Sequence, residues 1–81
     1  MGSSAIHTKR YRAFLKKLRQ AREDSKLTQL QVATALGRLQ SYVEKCEQGN
    51  RRVDAVELFE FAAVYGKQIE FFDPNAGTKV R

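Results

Sequence analysis

The chain has 81 residues, enough for one small domain with a modest core that needs neither disulfide nor metal. One cysteine and one histidine exclude an internal disulfide and a His/Cys zinc site, while no apolar run nears the roughly 20 residues that cross a bilayer and no signal-peptide segment opens the chain. These exclusions lead to the expectation of a soluble, cytoplasmic protein without cofactor or metal. The net charge of +6 and pI near 9.8 favour a polyanionic partner, and the distribution is uneven: residues 1–52 sum to +8 and residues 53–81 to −2.

Residues 1–8, which include His7, are small and polar and are expected to form a disordered tail. From about Lys9 to Glu23 apolar residues recur at three and four (Tyr11, Phe14, Leu15, Leu18, Ala21), predicting a first helix with a basic outer face. Glu23 to Lys26 reads as a polar turn, with Leu27 an apolar plug before the next element. Thr28 caps a second helix, with Gln31 in capping-box register, and Val32, Ala33 and Leu36 share its inner face. Gly37 ends that helix in a left-handed backbone.

A third helix must start almost at once, near Leu39 or Gln40, and run to about Gln48. Val43 and Cys46 face inward, whereas Gln40, Ser41, Glu44, Lys45 and Gln48 form a polar outer face. Cys46 is read as a buried, inert thiol in preference to a redox switch. Two helices joined by a short turn containing glycine make a helix-turn-helix, whose second helix is offered to the major groove of DNA. Gly49 to Arg52 is a turn. Asp54 caps a fourth helix to about Tyr65, with Val53 as a staple, Leu58, Phe61, Ala62 and Tyr65 facing inward, and Glu57 and Glu60 outward. Gln68 to Phe72 is expected to form a fifth helix, stopped by Asp73-Pro74, with residues 74–81 a loose basic tail. The expected fold is therefore all-α, a compact bundle of five short helices, with a DNA-binding domain over residues 9–73.

Arg22, Leu27-Thr28-Gln29, Val32-Ala33, Leu36-Gly37, Gln40-Ser41-Tyr42-Val43, Glu47 and Gly49, taken together at these spacings, resemble the phage-repressor helix-turn-helix family, the lambda repressor and Cro relatives often called XRE-type. The resemblance runs from about Phe14 to Gly66. It implies base contacts by Gln40, Ser41 and Lys45; Glu44 either accepts from a cytosine amino group or pairs with Arg38 or Lys45. Phosphate contacts are expected from Gln29, at a helix N-terminus, and from Arg38, Tyr42, Arg51 and Arg52. The family's buried ion pair maps onto Arg22 and Glu47. Two positions depart from the pattern: Leu30 stands where a polar residue is usual, and Leu39 where serine or threonine often caps the third helix. The missing cap costs about 1 kcal/mol.

Relatives of this type commonly dimerise near the fifth helix. Ile69 and Phe72 can pack inward, which leaves Phe71, and with it Phe59, without an obvious burial site; Ile69, Phe71 and Phe72 are the expected dimer contacts on a palindromic operator. The resemblance implies a transcriptional regulator acting as a homodimeric repressor on double-stranded DNA. The competing expectation is a protein-interaction module, such as an antitoxin holding a toxin, in which DNA binding is secondary. An enzyme is not expected, because the sequence offers no nucleophile and base pairing, no phosphate-cradling glycine loop and no metal-ligand cluster.

Overall fold

The computed structural model describes residues 8–75; the expected tails, including His7, lie largely outside the described residues. Four α-helices follow one another, α1 (Lys9–Asp24), α2 (Gln29–Leu36), α3 (Gln40–Gln48) and α4 (Ala55–Tyr65), and a single 3-10 turn, Ile69–Phe72, closes the described chain. The architecture is all-α. The expected fifth helix is corrected to that 3-10 turn: the segment is only four residues long, Phe71 N–H reaches the Gln68 carbonyl and Asp73 N–H the Glu70 carbonyl in three-residue steps, and proline follows at once.

Each α-helix starts where a side chain satisfies an orphan N–H, with one exception. The Thr8 hydroxyl accepts from Tyr11 N at 3.0 Å. Thr28 and Gln31 form a reciprocal box, the hydroxyl accepting from Gln31 N at 3.1 Å and the Gln31 amide oxygen accepting from Thr28 N at 2.9 Å. Asp54 and Glu57 repeat this box at the start of α4, at 2.8 and 3.0 Å. The exception is α3, whose cap position is Leu39 and has no side-chain bond.

The turn between α2 and α3 contains only Gly37, Arg38 and Leu39. Gly37 adopts a φ of 69°, a left-handed conformation that an L side chain resists, and this lets Arg38 N–H reach back to the Ala33 carbonyl at 2.9 Å. A Schellman closure of this kind sets the angle at which α3 leaves α2. At the far end of α3, Gly49 has a φ of 83°, and a methyl group there would sit 2.9 Å from the Leu15 Cδ1. Glycine thus lets α1 lie close against the end of α3.

The core is built from one face of each helix: Phe14, Leu18 and Ala21 from α1, Val32 and Ala33 from α2, Val43 and Cys46 from α3, and Phe61, Ala62 and Tyr65 from α4, sealed by Phe72. Burying these apolar groups is the main favourable term in folding. Tyr11 ties the start of α1 to the loop before α4, its hydroxyl accepting from Val53 N at 3.0 Å.

Three expectations need correction. Phe72 is 1% exposed and belongs to the core, so it offers no surface to a second chain. Phe71 is not an orphan, because it packs edge-on against Phe72 at 5.4 Å and carries the ammonium groups of Lys67 and Lys17 over its ring at 4.4 and 5.3 Å. Glu57, expected on the outer face of α4, is buried. Among the described residues, the large apolar side chains left in solvent are Leu30, Leu39, Val56 and Phe59.

Candidate nucleic-acid interface

Helix α3 presents Gln40, Ser41, Lys45 and Gln48 to solvent, with Glu44 half-buried beside them. Glu44 forms no ion pair with Arg38 or Lys45; the salt bridges among the described residues involve other carboxylates. An open groove of about 440 Å³ runs between the turn and this helix, and its walls hold Arg38, Ser41, Lys45 and Arg51. Three cations and a hydroxyl on one concave wall suit a phosphate backbone.

Tyr42 organises that wall. The Arg38 guanidinium stands 4.3 Å from the ring centroid and that of Arg51 4.9 Å, while the ring itself stacks nearly parallel to Phe61 at 6.0 Å. Two arginines are thereby held at the groove by cation–π attraction to one ring. The Tyr42 hydroxyl points inward, buried and without a hydrogen-bond partner. Burial pushes its pKa up to about 12, so it stays neutral. The expected phosphate contact through this hydroxyl is therefore corrected: the ring positions the arginines, and the hydroxyl does not face the groove.

Arg51 is also bound from below. Its Nη2 lies 2.9 Å from Glu57 Oε2 and its Nη1 donates to Glu57 Oε1 at 2.9 Å, which fixes the guanidinium and partly neutralises it. Arg52 sits over the Tyr11 ring at 4.8 Å, and the exposed Arg38 makes no ion pair with any described residue. Gln29, expected at a phosphate, donates its side-chain amide to Glu47 Oε1 at 3.0 Å. Cys46 is buried and free, and burial pushes its thiol pKa up, which keeps it protonated and unreactive.

Below the exposed face of α3, Glu47 gathers three helices. Arg22 donates to it through Nε at 2.6 Å and Nη2 at 3.1 Å, Gln29 adds its amide, and Arg19 Nε lies 3.9 Å away. The carboxylate hydrogen bond holds the Arg22 pKa above its ordinary value. Sequence reasoning passed over Arg19, although it stands three residues before Arg22 and so shares its face. It also missed Glu57, whose signal was present as the third residue after the Asp54 cap.

The hydrogen bond from Arg51, with a further one from the Asp54 backbone, holds the Glu57 carboxyl below its ordinary value of 4.5. A depressed acid stabilises the fold above its unfolded pKa, and that stability is lost as pH falls through the lower folded value. Glu57→Gln is expected to lower the thermal midpoint at pH 7, and the gap between the variant and the parent should narrow once the pH drops below about 4.5. A gap that stays constant from neutral pH into strong acid would sink this assignment.

An uncovered polar helix face, flanked by arginines and set by a three-residue turn, defines a DNA-binding helix-turn-helix protein. The family model described as helix-turn-helix domain matches residues 13–68, and the chain belongs to that family. Searches of curated proteins and of solved structures returned no match. Among the described residues there is no group of acidic, histidine or cysteine side chains fit to hold a metal, and no helix is long and apolar enough to cross a membrane.

Proposed function

We propose that this chain is a sequence-specific transcriptional regulator of the phage-repressor type, a cytoplasmic homodimeric repressor that inserts α3 into the major groove at each half of a palindromic operator. Residues 9–73 form the binding domain, and no catalytic step or cofactor enters. Gln40, Ser41, Glu44 and Lys45 read base edges; Arg38, Arg51 and Arg52 hold phosphates, and Gln29 brings the N-terminus of α2 to the backbone. The observation that carries this reading is the exposed Gln40-Ser41-Lys45 face bordered by the Arg38 and Arg51 pair stacked on Tyr42. Two-fold pairing places the recognition helices about 34 Å apart. Ile69 and Phe71, both half-buried, remain candidates for the dimer contact, and Val56 and Phe59 on α4 join them in place of Phe72.

The test is selection from random duplex DNA at two salt concentrations, with a Gln40→Ala variant alongside. A palindromic consensus is expected, with discrimination relaxed by about 1–3 kcal/mol at the base that Gln40 meets and affinity falling steeply with salt. Binding that depends on salt but enriches no sequence would overturn the regulator reading. The second reading, a protein-interaction module of antitoxin kind, draws on the exposed Val56 and Phe59, which lie three apart on one side of α4. A partner that binds this chain tightly and is lost on Phe59→Ser, with no consensus in the selection, would favour it.

A further inference from the structure

Leu39 is 77% exposed, more than any other large apolar side chain among the described residues. It packs on nothing in the core and supplies no cap to α3. A leucine so placed contributes little to folding, and where a hydroxyl or amide would stabilise the helix start it leaves that start bare. Its backbone is nevertheless held firmly. The Leu39 carbonyl accepts from Tyr42 N at 3.0 Å, and the residue before it is anchored by the bond from Arg38 N to the Ala33 carbonyl at 2.9 Å. The side chain therefore projects from a fixed point, one residue ahead of Gln40, and lines the same groove as Ser41 and Lys45.

We propose that Leu39 determines specificity by packing against the 5-methyl group of a thymine in the major groove. The inference rests on the DNA-binding reading above and deepens it. Apart from the Tyr42 ring, over which Arg38 and Arg51 lie, the groove's other side chains are cations and a hydroxyl, which suit phosphates and base edges, and Leu39 is its one wholly aliphatic side chain. Among the four bases, thymine alone carries a methyl group on its major-groove edge, and apolar side chains read it by contact. The isobutyl group is already exposed in the free protein, so burying it against that methyl gains the transfer energy of both groups. Gln40 and Ser41 next to it supply polar contacts to the adjoining base pairs, which makes the start of α3 a mixed reader of hydrogen-bond and methyl patterns.

The experiment uses the full chain and the duplex returned by the selection, with each thymine replaced singly by deoxyuridine, a change that removes only the methyl group. One thymine per half-site is expected to show about fourfold weaker binding on this replacement, the equivalent of one buried methyl. In Leu39→Ser that penalty should vanish. The serine also restores a capping side chain, so the variant should melt no lower than the parent, which separates lost reading from lost folding. A consensus in which no thymine is sensitive to methyl removal overturns this proposal and leaves the regulator reading intact. So does a penalty that persists unchanged in Leu39→Ser. If the selection returns no consensus at all, both fall together.

Discussion

Replacing Glu47 with alanine is expected to destabilise the fold by about 3–5 kcal/mol, the range seen when one partner of a buried ion pair is removed. The carboxylate is 1% exposed as a side chain, and its main partner Arg22 is 17% exposed, so the guanidinium left behind would find little water. It cannot escape by losing its proton, since an arginine stays charged in proteins. Its remaining contact, a bond from Nη1 to the Leu27 carbonyl at 3.1 Å, satisfies one donor of five. An 81-residue domain holds in all about 4–12 kcal/mol of stability at 0.05–0.15 kcal/mol per residue, so this one change removes a large share of it.

The position of Glu47 makes the point sharper. It lies in the last turn of α3, where the helix dipole disfavours a carboxylate by about 0.3–1 kcal/mol. What offsets this is its role as a junction: it takes bonds from Arg22 of α1 and Gln29 of α2 while belonging to α3. Urea unfolding of Glu47→Ala should show a lower midpoint with an unchanged slope. A paired replacement, Arg22→Met with Glu47→Leu, should recover much of the loss, because it leaves no charge stranded. A loss below about 1 kcal/mol in the single variant would mean the pair behaves as a surface salt bridge.

The four α-helices were legible because their signals are local. The Thr28-Gln31 box, Gly37 and the Asp54 cap each act within one turn of their own position, and the apolar stripes need only the helical period. Placement on the far side of a turn was harder to read. Glu57 looks like an outer acid until Arg51, six residues earlier, folds back across the loop to meet it. Phe71 looks stranded because the two lysines that cover it, Lys17 and Lys67, stand fifty residues apart and meet only in the folded chain. Tyr42 shows the limit most plainly. Its nearness to the groove was implied by the resemblance, but the direction of its hydroxyl depends on Phe61 and the arginines, and it turns the residue from an expected phosphate contact into a platform.

That platform is the reason Phe61→Ala should affect binding as well as stability. Phe61 is fully buried and stacks on Tyr42 at 6.0 Å and on Tyr65 at 5.9 Å, a continuous row of three rings through the middle of the domain. Truncation to alanine is expected to destabilise by about 3–5 kcal/mol, from lost transfer energy and an unfilled cavity. The stacked pairs themselves account for about 0.5–1.5 kcal/mol each beyond area. Without Phe61 beneath it the Tyr42 ring is free to tilt, and Arg38 and Arg51 lose the surface that holds them at the groove. Phe61→Leu separates the two effects, since it keeps most of the apolar volume and removes the ring. It should therefore fold, yet weaken DNA binding nearly uniformly across sequences, as expected if Arg38 and Arg51 are the phosphate contacts proposed above. A Phe61→Leu protein that folds and binds like the parent would show that the arginines are held at the groove without the aromatic stack.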